Sequence, residues 1–345
     1  MFGIKYHRLD KEAPLQMHWG FFRKKLSLFE GVAFIISGTI GAGILGLPYA
    51  VSKVGPLLGV LFIVILGLLM MGLNLMLGEV LVRTKDHLQI VGLSHKYLGI
   101  FGRVFMTTMM YSSMIGILVV YIIGEGQALA SLFGRTPLEW SLLFLAVAAV
   151  FIFRGLKTFK IFDFFLTVGV LMVVSIITFA CVPYIKMANL AFSSFKDFLF
   201  PYGVVLFAFA SSGAVVEAHG ILKDSEVNFK KAIIIAGSIC ILVYATFALA
   251  VLGVTGLETT EIATIGLASK VGSSFFVIGN LFAALAMGTS FLVGGLAFKH
   301  SLCWDYKVPR QVSAAIVCLV PLVIFLLGLR QFIMAIDIVG GVFIS

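Results

Sequence analysis

At 345 residues, 61% hydrophobic and 12% charged, the chain carries about half the charge of an ordinary soluble domain. No soluble fold hides that much apolar surface, which excludes a soluble protein of any function. The net charge of +9 needs no nucleic acid to explain it, because basic loops facing anionic lipid headgroups account for it.

The chain divides into apolar stretches of the roughly 20 residues that a helix needs to cross a bilayer. They predict an all-α polytopic membrane protein with ten spans: 28–53, 56–82, 104–130, 138–153, 160–184, 199–221, 231–255, 273–298, 309–328 and 331 onward. The tenth is expected to be cut short, since only 15 residues remain after 330. A charged tail, 1–27, precedes a first span too long for the apolar region of a cleaved signal peptide, so that helix is expected to stay. With the tail on the cytoplasmic side of the cell membrane, 19 of the 25 lysines and arginines face inward, which predicts a cytoplasmic N-terminus. Cys181, Cys240, Cys303 and Cys318 lack metal-ligand spacing and lie in or beside spans, so neither a metal centre nor a disulfide is expected.

The first span carries G-T-I-G-A-G-I-L-G-L-P-Y-A, residues 38–50, with a literal G-x-G-x-x-G at Gly41, Gly43 and Gly46. A dinucleotide loop needs a strand before it, a soluble helix after it and an acidic residue about 20 positions on. The first acid after Gly46 is Glu79, and the setting is a membrane span, so that reading fails. The run Ser37-Gly38-Thr39-Ile40-Gly41-Ala42-Gly43 is instead small and poor in helix propensity, which predicts an interrupted helix. In span two, Glu79 has Arg83 four residues on, the spacing of a helical ion pair.

Between spans two and three lies I-V-G-L-S-H-K-Y-L-G, 90–99; between spans seven and eight lies T-I-G-L-A-S-K-V-G, 264–272. Gly92, Leu93, Lys96 and Gly99 answer to Gly266, Leu267, Lys270 and Gly272 with one residue of slippage, five spans apart. An odd offset puts the two segments on opposite sides, which is the signature of an inverted repeat. Chance similarity of two amphipathic loop helices is the competing explanation. The repeat predicts a break in span six to match that in span one, and Ala210-Ser211-Ser212-Gly213 lies at the matching place. A Gly-interrupted pair in corresponding positions points to a transporter binding site, whereas small residues that merely allow close helix packing are the alternative. The predicted halves are 28–184 and 185–345.

The residues 38–50 resemble the first-helix signature of the amino acid/auxin permease family, which includes bacterial tryptophan and tyrosine permeases and sodium-coupled neutral amino acid transporters. Order and pattern agree from residue 28 to the end. The resemblance implies the leucine-transporter fold, two inverted five-helix repeats with substrate held at the breaks of helices one and six. Gly41, Ala42 and Gly43 would offer backbone N–H groups to a substrate carboxylate at the positive end of a half-helix. Carbonyls freed at Ala210, Ser211 and Ser212 would accept from the ammonium, and Phe207 or Phe209 would cover the pocket, core packing being the alternative for both. Tyr121 followed by Glu125 resembles the family's aromatic-then-acidic pattern beside the site, while an interfacial tyrosine is the other reading.

Ionisable groups in membranes are costly, which makes Glu79, Glu125, Glu217 and Asp337 candidates for gating or proton linkage. Glu217 would satisfy amides at the helix-six break or lie with His219 at the cytoplasmic end. For coupling, the fold implies a sodium ion co-transported between helices one and eight, bound by Ser37 and Ile40 carbonyls, the Ala286 carbonyl and the Thr289 and Ser290 hydroxyls. Five neutral oxygens suit a hard cation. Thr and Ser bonding to their own i−4 carbonyls is the structural alternative.

The function expected is import of a neutral amino acid, large and apolar or aromatic, by alternating access. Proton coupling in the same fold and an amino acid sensor with little flux are the other readings. No organic cofactor, nucleic acid or required protein partner is expected beyond substrate and membrane lipids. An enzyme is disfavoured, because Ser211-Ser212-Gly213 has only His219 near it and no H-E-x-x-H occurs.

Overall fold

Poor helix formers end the first helix where the sequence places its break. In the computed structural model, which describes residues 22–84, 88–154, 160–222, 226–328 and 331–344, α1 (Phe22–Thr39) stops there and α2 (Ala42–Val54) sets off at 55° to it, with Ile40 and Gly41 between. The chain continues through α3 (Pro56–Arg83), α4 (Ile90–Phe133), α5 (Pro137–Arg154) and α6 (Lys160–Cys181). The second half repeats the motif: α7 (Phe200–Ala208) and α8 (Ser212–Ile221) flank a break at Phe209–Ser211. Then follow α9 (Glu226–Thr255), α10 (Ala263–Val271), α11 (Ser273–Asp305), α12 (Arg310–Leu326) and α13 (Phe332–Ile338), which runs into a π-helical turn at Val339–Ile344. No strand occurs among the described residues.

Among those residues seven helical segments are long and apolar enough to cross a bilayer, the bent α1–α2 pair makes an eighth, and two shorter apolar helices follow. These are the ten expected segments in the expected order. Their ends differ where polar contacts carry a helix past its apolar stretch. The third span is not a helix starting near 104 but the second part of α4, which begins at Ile90 and kinks at Gly99. The eighth, expected to end at 298, runs on to Asp305, held there by hydrogen bonds from Ser301 and Gln89 to the Asp305 carboxylate.

The two loop helices that suggested the repeat occupy matching places. Gly99 has φ 68° before the long part of α4, and Gly272 has φ 121° before α11. Both backbones lie where an L side chain is strained, so each glycine is the hinge from loop helix to span. Leu93 and Leu267, the apolar partners in the motif, are both buried.

Burial sorts the helices into a centre and a rim. α2 and α7 are apolar on nearly every face and buried on nearly every face, as a helix enclosed by others must be. They pack on each other, while α1 packs against α8, α9 and α11, and α11 against α4. α3 instead turns Leu57, Leu61, Leu68 and Leu69 outward, an apolar surface suited to lipid. The two breaks therefore sit in the middle of the molecule, enclosed by α3, α4, α9 and α11.

Candidate functional site

At the first break, Thr39 ends α1 by bonding its hydroxyl back to the Ile35 carbonyl at 2.6 Å. Gly41 opens α2 without a side-chain cap, so the first-turn amides of α2 have no side-chain acceptor from it. Beside Gly41 stand two hydroxyls: a Cβ added there would lie 2.6 Å from the Tyr121 oxygen and 2.7 Å from Ser290 Oγ. Tyr121, buried on α4, shares a hydrogen bond with Ser290 on α11. Ser290 Oγ in turn lies 2.6 Å from the Ser37 carbonyl and 3.1 Å from the Ile40 carbonyl. Thr289 Oγ1 lies 3.0 Å from both the Leu285 and the Ala286 carbonyls, so it makes the i−4 bond of the structural alternative as well as meeting Ala286. Ser37, Ile40, Ala286, Thr289 and Ser290 are all buried where α1 meets α11.

Gly43 is a point of close packing between the half-helices. A Cβ there would overlap the Ala208 Cα, so the bare face of Gly43 is what lets α2 approach the end of α7. A side chain at 43 would not merely obstruct a ligand; it would push the two half-helices apart. Ala42, beside it, is fully buried.

At the second break the expected carbonyl set is corrected. Ser212 is already the first residue of α8, and the Ser211 carbonyl accepts from the Val215 N–H at 3.0 Å, so these two carbonyls head a helix rather than standing free. Ala210 lies between the half-helices, its N–H bonded to the Phe207 carbonyl at 3.2 Å. The side chains of the two serines are held by Asn74 of α3: its amide nitrogen donates to Ser211 Oγ at 3.1 Å, and Ser212 Oγ donates to its oxygen at 3.5 Å. Phe207 and Phe209 are both buried. The Phe209 ring meets Tyr244 of α9 edge to face at 4.9 Å and, with Met70 and Asn74, lines a crevice beside the break.

The acids separate cleanly. Glu79 pairs with Arg83 at 2.6 Å with both side chains mostly exposed, a surface ion pair and nothing more. Glu217 finds partners beyond its own helix. It accepts from Gln89 Nε2 at 2.7 Å and lies 2.7 Å from His300 Nδ1, a buried junction of α8, α11 and the start of α4. The His300 ring stacks on Trp304 at 4.5 Å, and Asp305 accepts from the Gln89 N–H, which extends the junction along α11. His219 lies beside the Phe229 ring. Asp337 is half-buried with its carboxylate against Gly203 of α7, and it makes no ion pair among the described residues. Glu125 is buried, with one oxygen 3.1 Å from where a Cβ on Gly288 would lie, one residue before Thr289. It has no hydrogen-bond or ionic partner among the described residues.

Asn74, Gln89, Tyr244, His300 and Asp305 were not singled out from the sequence. Asn74 had a legible signal, an amide in the middle of an apolar span. The others signal nothing until helices far apart in the chain are brought together.

The match to known proteins covers the whole assembly. Residues 24–344 match the model of the tryptophan/tyrosine permease family. The chain is 27% identical over 338 residues to tyrosine-specific transport system 2 of Haemophilus influenzae, spanning 90% of this chain and 83% of that one. It is 26% identical over 288 residues to glutamine transporter 2 of Aliivibrio fischeri, spanning 78% and 74%. Among solved structures, MhsT in complex with L-phenylalanine superimposes with a TM-score of 0.69 at 12% identity, over 91% of this chain and 86% of that one. The fold is that of the leucine transporter, with broken first and sixth spans.

Proposed function

The chain belongs to the tryptophan/tyrosine permease family, and from that premise we propose that it imports a large neutral amino acid, aromatic side chains fitting best, across the cell membrane on a sodium gradient. The family is one of amino acid transporters and not of enzymes. One observation carries the reading: two interrupted helices from opposite halves face each other at the centre of the bundle, at Ile40–Gly41 and Phe209–Ser211. Unwound backbone at membrane depth is tolerated only where it lines a cavity or is enclosed in protein, and a substrate's carboxylate and ammonium are natural partners for its amides and carbonyls. The α1–α2 and α7–α8 pairs then rock with their neighbours against the remaining helices, and the Glu217–His300–Gln89 junction closes the cytoplasmic end. Relatives named for tyrosine and glutamine, and a structural neighbour holding phenylalanine, support a neutral substrate. Phe207 and Phe209 at the α7 end support an aromatic one.

Sodium is the cargo ion that suits the α1–α11 contact, where hydroxyls of Thr289 and Ser290 meet carbonyls of Ser37, Ile40 and Ala286. The N-terminus is cytoplasmic on this reading, as the distribution of lysine and arginine favours. The test is ligand-induced thermal stabilisation of the purified protein across a panel of amino acids. Tryptophan, tyrosine, phenylalanine or leucine is expected to shift the melting temperature; stabilisation by lysine or arginine alone rejects the substrate class.

Glu125 favours a second reading, proton coupling. An ionisable group at membrane depth without a partner is a functional candidate in its own right, and this one reaches from α4 to Gly288 of α11, the residue before Thr289.

A further inference from the structure

The two breaks share one hydrogen-bond donor. Tyr244, fully buried on α9, places its hydroxyl 2.7 Å from the Thr39 carbonyl and 2.8 Å from the Ala208 carbonyl. Thr39 is the last residue of α1 and Ala208 the last of α7, so each carbonyl stands at the C-terminal end of a half-helix. The residue four positions on, which would donate to it in an unbroken helix, already belongs to the next half-helix. The Thr39 carbonyl takes a bent N–H contact from Gly41 at 3.1 Å. Buried carbonyls short of donors are costly, and here two carbonyls from opposite halves of the molecule, one of them also taking the Gly41 contact, converge on one hydroxyl, which has a single hydrogen for both. The ring is fixed by the edge-to-face contact with Phe209, so the hydroxyl is not free to turn away.

We propose that Tyr244 is the positioning residue of the binding site: its hydroxyl ties the end of α1 to the end of α7 and so holds the two breaks in register before substrate arrives. This rests on the transport reading above. The half-helices that the tie joins are those that rock, and α9 carries it between them. Substrate binds to backbone at both breaks, so a pair already in register binds without first being ordered. Cutting the tie lowers the fraction of molecules competent to bind and raises the apparent dissociation constant in proportion. The loss of one donor shared by two buried carbonyls is expected to raise the substrate KM about tenfold.

The test compares three replacements of Tyr244 in proteoliposomes: Tyr244→Phe, p-fluorophenylalanine and p-aminophenylalanine. The fluorine fills the hydroxyl's place without donating, whereas the amino group brings two N–H bonds, one for each carbonyl. The first two are expected to raise KM about tenfold with Vmax changed less than about twofold, and the third to restore KM. Phe247→Leu, a buried ring on the same helix that packs against Phe282 of α11, is the packing control and is expected to lower thermal stability without moving KM. Hydrogen–deuterium exchange of peptides covering 38–44 and 207–213 reads the tie without transport and is expected to quicken with Phe and fluorine and to recover with the amine. A working transporter whose Tyr244→Phe form keeps the wild-type KM and exchange overturns the tie alone. Wild-type protein that moves no amino acid in the panel overturns the transport reading and the tie's role in it.

Discussion

Replacing Gly43 by alanine adds one methyl group at the closest point between α2 and α7. That methyl would overlap the Ala208 Cα and stand 2.7 Å from its Cβ and 3.1 Å from its nitrogen. These are atoms of a helix end, not the tip of a flexible side chain, so a half-helix must move. Overpacking of this kind costs about 1–3 kcal/mol, whereas alanine for glycine in an open helical position gains about 0.5–1 kcal/mol. Gly72 on α3 is the matched control, since a Cβ there meets nothing within 4 Å. The two variants are therefore expected to differ by about 1–3 kcal/mol, the clash alone, if their helix-propensity gains are alike. Thermal unfolding in detergent should rank Gly72→Ala at or above wild type and Gly43→Ala below it, with the amino acid-induced shift lost only in the second. Gly43→Leu should fail to accumulate as folded protein. A Gly43→Ala protein as stable as Gly72→Ala, with its ligand shift intact, would refute the close approach of the two breaks.

Three further outcomes follow from the same geometry. Thr289→Ala and Ser290→Ala should each raise the sodium concentration for half-maximal uptake by about tenfold, one neutral oxygen ligand being lost, and an unchanged sodium curve would remove those hydroxyls from the ion site. Glu217→Ala leaves Gln89 and His300 without their shared acceptor and should destabilise by about 1–3 kcal/mol, as leaving a buried donor unpaired does; a melting temperature within error of wild type would show that the junction is not closed in solution. Arg83→Ala removes an exposed i,i+4 partner and should change stability by less than about 0.5 kcal/mol, so a large loss by the same melting assay would mean that Glu79 has a buried role.

The fold was readable because its determinants are local. Ser37 to Gly43 is too poor in helix formers to carry a helix through, and the matching run at 210–213 lies five spans on. The glycine pair at 99 and 272 needed no more than alignment of two short loops, and both have the positive φ of a hinge. The C-terminal end of α11 was not readable, since His300, Trp304 and Asp305 look like loop residues until Glu217 and Gln89 meet them. The partner of each break was hidden for the same reason. Nothing in the composition of α9 marks Tyr244, 205 residues from Thr39 and 36 from Ala208, as the donor to both. That Gly43 abuts Ala208 was hidden too, since sequence shows a small residue there and not what stands against it.

The central claim is that an amino acid moves inward through the two breaks at the expense of a sodium gradient. Its most direct test is concentrative uptake of phenylalanine or tyrosine into proteoliposomes at constant pH, with external sodium present or replaced by choline. The account predicts accumulation above equilibrium with sodium, insensitivity to a protonophore, and no accumulation in choline. Full accumulation in choline that collapses when the proton gradient is dissipated would contradict it and would hand the coupling to Glu125.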